Sequence, residues 1–397
     1  MSTQPVIVAA RRTPVGKFFG GLSRTPSPQL GAYAIQAVLQ EVPAIKDQID
    51  EAIFGCVLQA GLGQNPARQA GLKAGLPTTL SAKTINKVCG SGLEAVMLAA
   101  QSIKAGDNRC VIAGGFENMT AAPHYAGVRS GVKFGPTDLA DHMVHDGLTC
   151  PFEGWAMGSG ADYIAEKFAI SRQEQDRFAA QSHQRAAEAT KAGHFKAEIV
   201  ALTGEQVGNR KNPGPEGGVS ADEGIRPEST PEGLARLRPA FAKDGTVTAG
   251  NASQISDGAA AVAVLSSTKA EELGLKPIAR IVAYHTHGVD PKEIFAAPIG
   301  GVRGVLEKAG LGLDEIDLFE INEAFAAQVL CNIKELGIGE DRLNICGGGV
   351  ALGHPIGASG ARVLTTLIHQ LHRTGGKRGV AALCLGGGNA VAMVVEV

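Results

Sequence analysis

An alternation of strand-like and helix-like segments occurs twice in this chain, in the same order, and that repetition limits its fold more than any other feature. Strand Val6–Ala10 leads to a helix opened by Ser27-Pro28, a cap followed by a first-turn proline, with Leu30, Ala34, Ile35 and Val38 at helical spacing. Strand Ile53–Leu58, a helix around Pro66–Ala74, helix Leu93–Lys104 and strand Cys110–Ala113 follow. The late part repeats the order: strand Ile278–Ala283, helix Gly301–Ala309, strand Ile316–Ile321, helix Ala324–Leu336, helix Ser359–His372, strand Val380–Leu385 and strand Val391–Val395. Such a chain is predicted to be a duplicated α/β protein. Residues 120–249 break the pattern. They read as an insertion, with a helix over Arg172–Gly193, which returns to the first half through the apolar strand Ala259–Leu265. The expected units are 1–119 with 250–272, the inserted 120–249, and 273–397.

Composition removes several classes of function. At 397 residues, 44% hydrophobic and 19% charged, the chain can bury large cores, so disorder is not expected. Thirty-seven basic against thirty-nine acidic residues give a formal net charge of -2, which argues against nucleic-acid binding by counterion release. No apolar run approaches the ~20 residues of a membrane span. The chain enters its first strand almost at once, without a secretory leader, so a cytoplasmic location is expected. Seven cysteines with no C-x-x-C pair read as free thiols, neither disulfides nor a zinc site.

Three of these segments carry chemistry. Cys89, in Asn86-Lys87-Val88-Cys89-Gly90-Ser91-Gly92, precedes the helix whose apolar residues Leu93, Val96, Met97, Ala100 and Ile103 mark it as buried. A helix N-terminus favours a thiolate and offers backbone N–H groups to an oxyanion, so a lowered thiol pKa is expected there; the bland alternative is a buried structural cysteine. His354, in Gly353-His354-Pro355-Ile356-Gly357, lies in a turn rather than inside a helix, and can take a proton from a thiol. Cys384 ends an apolar strand and opens the turn Gly386-Gly387-Gly388. Opposite a second cysteine it can be the proton donor and acceptor of an acyl-transfer reaction.

Together these segments resemble the thiolases. Thr84–Gly92 resembles their acyl-carrying cysteine loop, Ala249-Gly250-Asn251-Ala252-Ser253 a coenzyme A-contacting segment, Asn322-Glu323-Ala324-Phe325 their NEAF motif, and Gly353-His354-Pro355 and Cys384-Leu385-Gly386-Gly387-Gly388 their closing motifs, in order from residue 5 to the C-terminus. The resemblance implies two βαβαβαββ halves packed as a layered αβαβα core, with a loop domain serving coenzyme A binding and oligomerisation.

It also implies a ping-pong Claisen condensation of two acetyl-CoA to acetoacetyl-CoA and CoA. Cys89, activated by His354, would carry the acyl group, and Cys384 would take the α-proton of the second acetyl-CoA. His354 with a water held by Asn322 would form one oxyanion site, and the backbone N–H groups of Cys89 and Gly386 the other. Arg226 would lie near the adenine and phosphate end of coenzyme A, with Ser253 and Ala249 along the pantetheine; Phe241, Phe325, Met157 and Leu148 would wall the acyl pocket. No metal or other cofactor is implied.

Ala122-Pro123-His124, Gly131-Val132-Lys133 and Asp146-Gly147-Leu148 resemble the biosynthetic branch, whose members are homotetramers. Two positions depart from it. Ala156 stands where histidine is usual, and Ile294 where methionine is. A degradative 3-ketoacyl-CoA thiolase of longer chains and a non-catalytic lipid-binding relative are the alternatives. A ketoacyl synthase would present histidine where this chain has Cys384. A nicotinamide dehydrogenase is disfavoured because Gly347–Gly353 has leucine at the third glycine of G-x-G-x-x-G.

Overall fold

The computed structural model describes residues 4–132, 134–208 and 212–397; Lys133, part of the biosynthetic-type segment, lies outside the described residues. The main sheet runs Leu318–Ile321, Arg378–Leu385, Asn389–Glu396, Ala279–Gly288, Pro5–Arg12, Ser256–Ser266, Cys110–Asn118, Glu51–Gly55, Ser81–Ile85, with the short strand Gly16–Lys17 against Ser256–Ser266. The duplication is visible in the pairing. From the outer edge inward, the early half pairs parallel, parallel, antiparallel, antiparallel, and the late half parallel, antiparallel, antiparallel. The two halves meet where Val6 and Ile7 pair with Arg280 and Ala279.

The late counterpart of the edge strand Ser81–Ile85 is reduced to a single bridge between Phe319 and Leu343. Ser81–Ile85 itself was not legible as a strand, because every one of its residues is at least partly exposed and only Ala82 and Ile85 are apolar. Strand Ser256–Ser266, by contrast, is buried along its whole length, which is why its Ala-Val run shows no two-residue alternation.

Three apolar clusters separate the layers. One joins the helices Ser27–Glu41 and Pro66–Lys73 to the outer face of the early strands, and another joins Ala297–Ala309 and Ala326–Leu336 to the outer face of the late strands. The third lies between the two halves around helices Ser91–Ala105 and Ser359–Thr374. These middle helices are apolar on most sides because sheet covers both of their flanks. Their first turns touch backbone to backbone: a Cβ on Gly92 would lie 2.7 Å from the Ala361 nitrogen, and one on Gly360 would lie 2.3 Å from the Leu93 nitrogen. That contact sets the loops bearing Cys89 and His354 side by side.

The segment between the halves does not form a layer of its own. Its helices Met157–Lys167 and Arg172–Ala192 send Ala161, Ile164, Ala165 and Phe178 into the outer cluster of the late half. Its end is tied to the first strand by Arg12, fully buried, whose guanidinium pairs with Glu198 and Asp222, both at 2.7 Å. Removing one member of such a buried group typically costs about 3–5 kcal/mol.

Candidate active site

The Cys89 loop is held in an unusual turn by its own polar side chains. Asn86 Oδ1 accepts from the Val88 N–H at 2.9 Å, the Lys87 N–H donates to Ser91 Oγ at 2.8 Å, and the Ser91 hydroxyl donates to the Val88 carbonyl at 2.7 Å. Val88 sits at φ +48°. A β-branched residue there carries strain of about 1–3 kcal/mol, a feature that concentrates at functional sites. Cys89 follows, partly exposed, two residues before helix Ser91–Ala105.

Strand Arg378–Leu385 delivers Cys384, and the turn after it, with Gly387 and Gly388 at φ +82° and +84°, reverses the chain so that the Gly386 N–H lies against the Cys89 thiol. His354 enters from a third direction, and its backbone N–H donates to the Gln254 carbonyl at 3.1 Å. Its Nδ1 lies 2.6 Å from Ser359 Oγ, which in turn lies 2.9 Å from the Pro355 carbonyl. One hydroxyl proton cannot serve both contacts. Since only the carbonyl needs a donor, Ser359 donates to Pro355 and accepts from Nδ1–H, leaving Nε2 as the nitrogen able to take a proton.

These three side chains line one cavity of about 690 Å³, together with Gly386, Met157, Leu148, Arg226, Ala249, Ser253, Phe241 and Phe325. Of the site residues expected from the sequence only Asn322 stands behind the wall. Its Nδ2 lies 3.5 Å from His354 Nδ1 and 3.4 Å from Nε2, between the two nitrogens rather than in line with either, and its Oδ1 is buried without a partner among the described residues. At one end of the cavity Phe325 packs edge-on to Phe295 and Phe241, with ring centroids at 5.2 and 6.4 Å, and Gly158 leaves the space that the Phe241 ring fills. Ala156 and Ile294, the two departures, line the same cavity.

Comparison with known proteins identifies the arrangement. Residues 5–268 match the family described as thiolase, N-terminal domain, and residues 275–397 match thiolase, C-terminal domain. The chain belongs to the thiolase family. It is 53% identical to an acetyl-CoA acetyltransferase of Chromobacterium violaceum, the match covering 98% of each chain, and 48% identical to a cytosolic acetyl-CoA acetyltransferase of Rattus norvegicus, again over 98% of each. Its structure superposes on the crystal structure of the Bacillus anthracis acetyl-CoA acetyltransferase with a TM-score of 0.96 and 41% identity, covering 100% of this chain and 99% of that one.

The electrostatics of this thiolase correct one sequence-based expectation. Burial pushes the Cys89 thiol up to about 12; the backbone N–H groups of Cys89 and Gly386 pull it the other way without prevailing, and Glu117 adds to the rise. The low pKa expected from the helix N-terminus is therefore not realised in the free site, because desolvation of the thiolate outweighs two dipoles. Cys384 is raised as well, by burial and then by Cys89. Burial, reinforced by Arg362, lowers His354 to about 3, so in the free site its imidazole is a neutral base throughout the physiological range. With the thiols high and the imidazole low, no thiolate–imidazolium pair is stored in the free site, and proton transfer must accompany attack on the substrate.

Two supporting residues escaped the sequence reading. Gln254 Nε2 donates to the carbonyls of Gly224, Val350 and Ala351 at 2.8, 3.1 and 3.2 Å, joining the segment that carries Arg226 to the approach to His354. Glu117, fully buried, accepts from the backbone N–H groups of Val57, Leu58 and Gly357 at 2.9, 3.1 and 2.9 Å. Their signal is three-dimensional. Neither lies in a turn or helix pattern that marks it from sequence.

Burial pushes Glu117 up to about 7 against the pull of those N–H groups. A carboxyl with a raised folded pKa binds its proton more tightly when folded, so its contribution to stability is complete below the ordinary carboxyl pKa and is lost as pH rises to about 7. Glu117→Gln, which stays neutral, is expected to lose this contribution to the pH dependence, while other buried carboxyls such as Asp257, raised to about 6, keep theirs. Between pH 5 and 8 the wild-type advantage over the variant should shrink by up to about 3 kcal/mol in urea unfolding. A constant difference would mean that Glu117 does not titrate in that window.

Proposed function

We propose that this thiolase condenses two acetyl-CoA into acetoacetyl-CoA and CoA, reversibly, through an acyl group on Cys89. The reading is carried by the convergence of Cys89, His354 and Cys384 on one cavity with the Gly386 N–H aimed at the Cys89 sulfur. As Cys89 Sγ attacks the thioester carbonyl, its proton passes to His354 and the tetrahedral intermediate expels CoA thiolate, which takes the Cys384 proton. The Cys384 thiolate then removes the α-proton of the second acetyl-CoA. The carbanion attacks the acyl-Cys89 carbonyl, and Cys89 leaves with the proton held by His354. Every proton is returned, and the sequence of steps calls on no metal or redox cofactor. The raised pKa of Cys384 suits this role, because a thiol hard to ionise is a neutral donor first and a strong base once ionised.

The oxyanion of the acyl-Cys89 step would meet the N–H groups of Cys89 and Gly386, and the enolate oxygen of the second acetyl-CoA would meet His354 with a water held by Asn322. Arg226 would take the phosphate end of coenzyme A, and Ser253 and Ala249 the pantetheine. Residues 120–249 supply Met157, Leu148, Arg226 and Phe241 to the cavity, which supports a substrate-binding role for the insertion.

A homotetramer is part of the proposal. Between the paired strands His124–Tyr125 and Ala140–Asp141 the chain exposes Val128, Phe134 and Leu139, the last two by 100% and 64%, apolar surface suited to a second copy. We place the enzyme in the cytoplasm. No helix among the described residues is long and apolar enough to cross a membrane, and the near-neutral charge supports no nucleic-acid partner.

The competing reading is thiolysis of longer 3-ketoacyl chains, favoured by Ile294 and Ala156 at the cavity wall. Rates on acetoacetyl-CoA and on a C8 3-ketoacyl-CoA, each with free CoA, decide between them. The proposal expects kcat/KM for acetoacetyl-CoA to exceed the other by at least about tenfold, the discrimination one pocket contact commonly provides; a reversed ratio would establish the long-chain reading.

A further inference from the structure

The cavity is chemically asymmetric. Its inner end holds His354 and Cys384, 6% and 2% exposed, whereas Lys17, Phe18 and Arg226 are exposed at its mouth. Lys17 and Arg226 are the only Lys or Arg among the lining residues, and no Asp or Glu lines it. Neither cation forms an ion pair among the described residues. A mouth with two cations free of direct salt bridges and an apolar interior fits a ligand with an anionic head and a neutral reactive tail.

Lys17 is not placed there by chance fluctuation of a free loop. Asp222, already held by Arg12, accepts from the Val15 N–H at 2.8 Å, and the Glu223 N–H donates to the Val15 carbonyl at 3.0 Å. The Glu223 carboxylate accepts from the Lys17 N–H at 3.1 Å and from the Gly21 N–H at 3.0 Å. Gly20 and Gly21 make this possible, since a Cβ on Gly20 would lie 2.1 Å from Glu223 Oε2. Three residues beyond Glu223 is Arg226. The loop Gly16–Gly21 and the segment carrying Arg226 are thus stapled into one unit that presents both cations to one opening. Within this loop Phe19 is at φ +56°, a strained conformation for an aromatic residue, while its neighbour Phe18 lines the cavity.

We propose that Lys17 is a phosphate-binding residue of this cavity, acting with Arg226 on the phosphorylated nucleotide end of the substrate, and that Phe18 packs against the same end. The inference rests on the coenzyme A reading above. Lys17 would then contribute to the affinity for the carrier and not to the chemistry, which takes place at the inner end.

The test compares two thiol acceptors in thiolysis of acetoacetyl-CoA: CoA, and pantetheine, which lacks every phosphate. Lys17→Ala should raise KM for CoA about three- to tenfold, the range for one exposed charge-assisted contact, with kcat within about twofold and KM for pantetheine unchanged. Lys17→Arg should restore the wild-type KM, and the rise of KM with salt should be shallower in Lys17→Ala. An unchanged KM for CoA, or an equal rise for pantetheine, overturns the assignment. Calorimetric titration of free CoA into wild type and Lys17→Ala separates the two readings: an enzyme that binds CoA in a Lys17-dependent way but cleaves no acetoacetyl-CoA would refute the proposed activity alone, and one in which binding is independent of Lys17 would refute this inference alone.

Discussion

Cys89→Ser will lose acyl transfer by about three orders of magnitude or more while binding CoA as the wild type does. Serine keeps the size and the position of the nucleophile but replaces a thiol with a hydroxyl that is harder to ionise and a poorer nucleophile. In this site the substitution is unusually severe. Burial already pushes the thiol up to about 12, and a hydroxyl in the same place is harder still to ionise. Exchange of labelled CoA into acetyl-CoA measures the step directly, and fluorescence or calorimetric titration with CoA reports on folding and binding. Exchange within about tenfold of the wild type would remove Cys89 from the reaction.

Cys384→Ala is expected to divide the reaction in two. In the proposed mechanism the first half needs Cys89 and His354, with only a proton for the departing thiolate, which solvent can supply; the second needs a base at the α-carbon, for which the cavity offers no close substitute. CoA exchange should therefore survive within about tenfold, and condensation should fall by about 10³-fold or more, the size of effect associated with loss of a positioned base. Equal loss of both half-reactions would show that the two cysteines act as one unit.

The parts of this enzyme that could be read from sequence are those whose cause is local. The order of elements followed from apolar periodicity and glycine punctuation, and helix Ser91–Ala105 and strand Arg378–Leu385 lie within two residues or so of their predicted limits. Cys89, His354 and Cys384 could be singled out because each interrupts a regular segment with a reactive side chain among glycines. The cause of their meeting was not local. It is the backbone contact of Gly92 and Gly360, residues 268 positions apart, and no periodicity announces it.

The electrostatics of the site also have a non-local cause. A helix N-terminus argues for an acidic thiol, and the argument is sound for a solvated one; at Cys89 the loss of water outweighs the pull of the backbone dipoles. Gln254 and Glu117 were missed for the related reason that a single buried side chain binding several backbone groups has no sequence pattern. Lys17, near the start of the chain, lines the cavity only because Asp222 and Glu223 bind the loop that carries it.

In the proposed mechanism an acyl group resides on Cys89 between the two half-reactions. Cys384→Ala supplies the means of testing it, since this variant should load and then stall. Mixed with radiolabelled acetyl-CoA, quenched in acid and digested, it should show close to one label per chain in the single peptide containing Cys89, and added CoA should discharge it. Label on any other residue, or none while acetyl-CoA exchange proceeds, would contradict the account.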